Sequence, residues 1–515
     1  MANDPSLAEN TSRSNAVRMF FDVMGLFRAR ERAFPARSAL ALTLLVACGA
    51  TEQDPASTRP APSTEPPVRT DAPPGATTPP ATSSDAGASD AGLGGPARCG
   101  AKPYAWLTSP TLGQVLEKED KAPHTQLDLL YAFVEIRNKK AFKTERLPKY
   151  STVSSIVRYQ TQDRGQLVDA TALVTSPDSS KSFPILLFLH GTTGFTDQCA
   201  PSRNVADDDL GGFTSEVGIL AAIYASLGYV VVMPDYIGMK SMGAPSPSVH
   251  PYLIGEPTAV ASLDAVRAAK ALLPKAGASD VVLIGGSQGG HGAAFVGRYA
   301  PHYAPELSIK GAVWDVPPTD LAGQAQLALA PSWIKASGNM VAFLVAAEAW
   351  YGASPNGLAD ALLPPFLSAI PTAMMTTCSG LKGLPTPTLD TVFSTTVRSL
   401  VGPAGFGGPE PWTCYARENS LPTTSVPRLD DIPAMMLMGE NDNLVNTAVE
   451  RGTFQTLCAQ GMRLQYRECA GAGHTEPLVY AFDETLDFLN DRLDGKPMPA
   501  TTCQLSAPIK CSSTP

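Results

Sequence analysis

From residue 126 to residue 316, and again from 431 to 493, the chain repeats one pattern: short apolar runs, many β-branched, alternate with longer stretches of helical periodicity. The runs fall at 183–190 (FPILLFLH), 229–235 (YVVVMPD), 281–284 (VVLI), 309–314, 433–439 (PAMMLMG) and 463–469. Helices are predicted at 126–137, 216–227, 258–273 and 478–493. Gly228 suits the end of the second, and Pro274 ends the third. Ahead of these, 154–161 and 168–175 flank Asp163, Arg164 and Gly165, which predicts a β-hairpin. Strands that are apolar throughout need cover on both faces. The pattern therefore predicts an α/β protein, with a mostly parallel central sheet covered by helices on both faces. In such sheets ligands bind beyond the carboxyl ends of the strands.

Between 317 and 430 the alternation stops, prolines are frequent, and 321–329 and 340–350 read as helices. This predicts a helical cap inserted over the site, dividing a core of 99–316 and 431–515. Trp333, Phe343, Trp350, Phe366, Met374 and Met375 are expected mostly to form the cap's own core.

The first residues follow another rule. Arg28, Arg30, Arg32 and Arg37 precede an apolar run at 39–46 that is too short to span a bilayer. The run closes on Leu45, Val46, Ala47 and Cys48, followed by Gly49, and resembles the lipobox of bacterial lipoproteins. Residues 1–47 are thus expected to be a lipoprotein-type signal, with Met19 and Met24 as alternative starts. Cys48 is expected to be lipidated and to anchor the protein to a membrane, at the outer membrane or cell surface. An ordinary cleaved signal, giving a secreted protein, is the alternative. Residues 48–98 are rich in Pro, Ala, Thr and Ser, hold almost nothing to bury, and read as a disordered tether.

A net charge of −9 argues against a nucleic-acid partner. Setting Cys48 aside leaves eight of the nine cysteines, an even number that suggests disulfides in an exported chain. Proximity in sequence suggests Cys458–Cys469, Cys503–Cys511 and Cys378–Cys414. With no CxxC pair, no zinc is expected, nor any other metal or organic cofactor.

The chemistry centres on VVLIGGSQGGHGAAF (281–295), where a buried strand runs through G-x-S-x-G into a helical pattern. A serine at such a turn is strained, and Gly285 and Gly289 remove the side chains that would clash there. The helix start, beginning with the amide of Gln288, favours developing negative charge. A serine hydroxyl needs a base. Of six histidines, His124 precedes the sheet and His302 lies past the serine helix. His291 lies on that helix, His250 sits in a proline-rich loop, and His190 reads as a loop organiser. His474, in GAGHTEP after the last strand, is the expected base. Glu440 and Asp442 both follow the strand ending at Gly439. Asp442 is favoured as the acid, because three residues beyond the strand it can turn back toward the histidine. Asp430 and Asp431 read as solvated loop or helix cap. The second oxyanion donor is expected from the backbone of Thr192, in the loop after 183–190, beside Gln288.

With these residues placed, the chain looks like an α/β-hydrolase, and is similar to the secretory lipase family of capped serine esterases. The resemblance rests on HGTTG (190–194), GYVVVMPDYIGMK (228–240), HPYL (250–253), GGSQGGHGAA (285–294), GENDNLV (439–445) and GAGHTEP (471–477). Lys240 stands where glycine is common in the family. The resemblance implies carboxylic-ester hydrolysis through Ser287, His474 and Asp442, on a small-molecule or lipid ester. Acyl transfer or peptide cleavage on the same triad, and a catalytically silent surface-binding protein, are the alternatives.

Overall fold

The computed structural model describes residues 94–95 and 98–515, apart from 139–142, 207–212, 275–278, 379–385, 404 and 430–431. The expected signal, Cys48, Asp430, Asp431 and nearly all of the expected tether lie outside these residues. Nine strands build one sheet: β1 (Val115–Asp120), β2 (Thr152–Asp163), β3 (Gln166–Pro177), β4 (Ile185–Leu189), β5 (Val230–Pro234), β6 (Val281–Gly286), β7 (Ile309–Asp315), β8 (Ala434–Gly439) and β9 (Leu464–Cys469). Their order is β9-β8-β7-β6-β4-β5-β3-β2-β1. From β5 through β4 to β9 every pairing is parallel, and the other three are antiparallel. This is the α/β-hydrolase fold.

The strands at the centre explain the continuous apolar runs: β4, β5 and β6 are buried at every position. Side chains of a strand alternate between faces. Leu187 and Leu189 join Leu283, Leu263 and Phe295 on the face covered by α1 (Gly255–Leu272) and α2 (Gln288–Tyr303). Phe188 points the other way, with its ring 5.9 Å from that of Tyr224, which in turn lies 5.6 Å from Phe482. The two faces are thus covered by different helices, as the apolar runs require. The hairpin is longer than its alternation suggests. β2 and β3 pair from Thr152↔Pro177 to Asp163↔Gln166, with Arg164 and Gly165 turning at φ 47° and 71°. The expected helix at 478–493 is broken at Ala481 into Pro477–Tyr480 and Phe482–Leu493. The amide of Ser513 donates to the Tyr480 carbonyl, which a continuous helix would offer to residue 484.

Beyond residue 317 a second core forms. The helices Leu321–Ala328, Lys335–Tyr351 and Phe366–Thr376 pack together with Trp412 and Tyr415. Phe343, Trp350, Phe366 and Met374 lie inside this cluster, whereas Met375 is exposed. The cluster also takes in Phe195, Tyr252, Leu253 and Ile254, which belong to loops following β4 and β5. Two-residue strands at Val401–Gly402 and Gly405–Phe406 pair there as well.

The disulfides correct the sequence expectation: they join Cys99–Cys414, Cys199–Cys378, Cys458–Cys503 and Cys469–Cys511. Cys458 lies just before β9 and Cys469 at its far end. A strand of this length separates them by roughly 16 Å, several times the reach of a disulfide. Both bond instead to the C-terminal segment running beside that strand. The other two bonds tie the segment after 317 to Cys99 and to the loop after β4.

Candidate functional site

Ser287 sits between β6 and α2 at φ 54° and ψ −117°, a conformation that costs free energy for any residue with a side chain. The turn closes because its neighbours have none. A Cβ on Gly285 would stand 1.9 Å from the carbonyl oxygen of Gly289, and one on Gly289 would stand 2.0 Å from that of Leu189. The Ser287 amide donates to the Asp315 carbonyl at 2.8 Å, fixing the turn to β7.

Two further loops converge on this turn. His474, between β9 and the Pro477–Tyr480 helix, places Nε2 3.0 Å from Ser287 Oγ. Its Nδ1 lies 2.7 Å from Oδ2 of Asp442, in the loop after β8. Nδ1–H donates to the carboxylate, which leaves Nε2 to accept from the serine hydroxyl. The other oxygen of Asp442 accepts from the amides of Leu444 and Val445 at 2.8 and 3.0 Å, so the carboxylate cannot swing freely.

Packing sets the histidine loop as tightly. A Cβ on Gly439 would meet the Gly473 carbonyl oxygen at 2.1 Å. The Asn441 amide donates to the Ala472 carbonyl, and Gly473 N donates to Glu476 Oε2 at 2.9 Å. Glu440, the other acid the sequence offered, accepts from the Gly471 amide at 2.8 Å and braces this loop. Ser287 and His474 are almost wholly enclosed, at 5% and 8% exposure.

At the candidate oxyanion site, the Gln288 amide belongs to the first turn of α2, where no preceding carbonyl can accept from it. Thr192 is buried, with Oγ1 3.1 Å from the Tyr252 hydroxyl. The helix start abuts the loop bearing Thr192, since a Cβ on Gly289 would lie 2.7 Å from the His190 carbonyl oxygen.

The remaining histidines are accounted for. Burial pushes His190 down to about 4, His250 to about 3 and His291 to about 4, so all three are neutral near pH 7. His190 donates through Nδ1 to the Gly191 carbonyl at 2.6 Å, and His291 Nε2 lies 2.9 Å from the Asn419 carbonyl. His302 bonds the Pro427 carbonyl, and the backbone of His124 bridges to Thr152. Lys240, the departure from glycine, reaches Asp169 at 2.6 Å.

Two groups were not singled out by sequence reasoning. Asp315 closes β7 and is buried. Burial, then the charges of Asp442 and Glu476, push its carboxyl well above the usual carboxylate range. Nothing in its surrounding sequence (GAVWDVPP) distinguishes it from an ordinary strand end. His250 was set aside as a loop residue, yet its Nε2 lies 2.5 Å from the side-chain amide of Gln288. The signal for it lay in HPYL, one of the stretches carrying the family resemblance.

A groove of about 1040 Å³ lies elsewhere, lined among others by Arg146, Pro184, Tyr229 and Asp280. Pro184, Tyr229 and Asp280 each stand just ahead of a parallel strand, at the edge opposite Ser287.

Residues 213–330, which include the serine turn, match the secretory lipase family. No curated protein sequence matches the chain. Among solved structures, Candida antarctica lipase A in its closed state is similar at 18% identity, with a TM-score of 0.59, over 78% of this chain and 87% of that one. The rice cell wall degrading esterase LipA from Xanthomonas oryzae is similar at 18% identity and a TM-score of 0.56, over 75% of this chain and 97% of that one. A putative hydrolase from Legionella pneumophila reaches 19% identity and a TM-score of 0.57, over 75% and 100%.

Proposed function

We propose that this chain is an exported carboxylic-ester hydrolase of the secretory-lipase kind, working through Ser287, His474 and Asp442. The observation that carries the reading is the unbroken line from Ser287 Oγ to His474 Nε2 at 3.0 Å and from His474 Nδ1 to Asp442 at 2.7 Å. His474 takes the hydroxyl proton as Ser287 attacks the ester carbonyl, and Asp442 holds the imidazole tautomer and steadies the imidazolium. The amides of Gln288 and Thr192 take up the charge on the carbonyl oxygen. His474 returns its proton to the departing alcohol. Water, deprotonated by His474, then attacks the serine ester, and His474 passes that proton to Ser287 Oγ as the acid leaves. The match over 213–330 and the lipase and esterase names of the structural neighbours support esters as substrate.

The segment 317–430 is proposed as a cap, supported by its separate core and by its seat on the loops after β4 and β5. Four disulfides fit folding in an oxidising compartment. Membrane attachment through lipidated Cys48 is proposed from the sequence around it. Labelled fatty acid should enter the wild type and not Cys48→Ser. The catalytic reading is tested with p-nitrophenyl esters: wild type should hydrolyse them and Ser287→Ala should not. Equal rates would end it.

A further inference from the structure

We propose that His250 is a positioning residue for the oxyanion site, acting through the side chain of Gln288; the inference rests on the ester-hydrolase reading. Gln288 carries two amides. Its backbone N–H opens α2, while its side-chain Nε2 donates to His250 Nε2 at 2.5 Å. The imidazole can accept there because its Nδ1–H donates to the Ile237 carbonyl at 2.8 Å. Both ring nitrogens are thus engaged in opposite senses, which packing alone would not require.

The ring itself is fixed. His250 N donates to the Phe195 carbonyl at 2.9 Å, and a Cβ on Gly238 would stand 2.6 Å from the His250 backbone. His250 stacks on Tyr236 with ring centres 5.4 Å apart, and Tyr236 stacks on His190 at 4.3 Å. Tyr236, held at φ 71°, also donates its hydroxyl to the His190 carbonyl at 2.9 Å. His190 opens the loop that carries Thr192. One aromatic column therefore grips both donor segments: the Thr192 loop through His190, and the start of α2 through Gln288. Pinning the Gln288 side chain restrains its peptide plane and so the aim of its backbone N–H. A small misplacement of such a donor lowers transition-state binding more than substrate binding.

The test is a double-mutant cycle in the full chain. His250→Phe keeps a stacking ring without an acceptor, and Gln288→Met keeps length without the amide donor. Each is expected to lower kcat about 10- to 100-fold with KM within about threefold. The double variant should match the weaker single within about threefold instead of multiplying the losses. His250→Gln, which can return an acceptor near Nε2, should recover most of kcat. Multiplied losses, or unchanged kcat in Gln288→Met, would overturn the inference while leaving the hydrolase reading intact. A wild type without esterase activity would overturn both. Should His250→Phe fail to fold, the kcat-against-KM split of Gln288→Met decides alone.

Discussion

His474 Nε2 stands 3.0 Å from Ser287 Oγ although the two residues are 187 positions apart in the chain. What brings them together is register: β6 and β9 run parallel in one sheet, and each releases its candidate residue just beyond its carboxyl end. Asp442, after β8, enters by the same rule. Asp442→Asn should keep the bonds from Leu444 and Val445 but offer an N–H to Nδ1, stabilising the wrong imidazole tautomer. The expected result is a drop in kcat of about 10³–10⁴-fold with little change in Tm. Esterase rates beside a melting curve check it, and a Tm loss in proportion to the rate loss would contradict it.

Glycine substitutions should divide sharply by position. Gly285→Ala places a methyl 1.9 Å from a backbone oxygen, where nothing can yield without opening the serine turn. Soluble yield, Tm and activity should fall together. Gly452→Ala lies within the helix Thr447–Ala459 with open space around the new methyl. It should stabilise by about 0.5–1 kcal/mol. Denaturant titration of both variants separates these outcomes.

Much of this architecture could be read from the chain, and the limits are instructive. β4, β5 and β6 announced themselves because burial on both faces demands apolar residues at every position. Ser287 was legible because the turn tolerates only glycine two residues to either side. His474 was singled out by its place after the last strand, and the structure sets it beside Ser287. The disulfides were misread, because proximity in sequence is no guide when β9 itself separates Cys458 from Cys469. Asp315 left no trace, since its surroundings come from neighbouring strands. The role of His250 depends on Gln288 and Ile237, 38 and 13 residues away, which no local pattern connects.

The four disulfides should rank by the loop each closes. Separations of 315 and 179 residues for Cys99–Cys414 and Cys199–Cys378 exceed the 45 and 42 of the other pair. On chain-entropy grounds, replacing Cys99 and Cys414 by serine should cost about 2 kcal/mol more than replacing Cys469 and Cys511. Unfolding free energies of the paired serine variants test the ranking, and the reverse order would contradict it.

Glu450 offers a pH test away from the site. It is fully buried, accepts from Thr319 and from Gln324, and burial pushes its carboxyl up from 4.5 to about 7. The folded state therefore holds this proton more tightly than the unfolded one. The stability involved is fully present below pH 4.5 and is lost as the pH rises through about 7. Glu450→Gln should raise Tm over wild type at pH 8 and bring no gain at pH 4.5. A gain of the same size at both would contradict the assignment.

The bond from Cys99 to Cys414 has a mechanical side. Tension arriving along the backbone ahead of Arg98 divides at Cys99, and part of it crosses to Cys414 in the helical segment before it reaches any strand of the main sheet. The ion pair of Arg98 with Glu418, at 3.1 Å, lies on the same route. Strain entering from the N-terminal side is thus shared between the segment after 317, through Cys414 and Glu418, and the helix that follows Ser287, through the hydrogen bond of Arg98 to Tyr299.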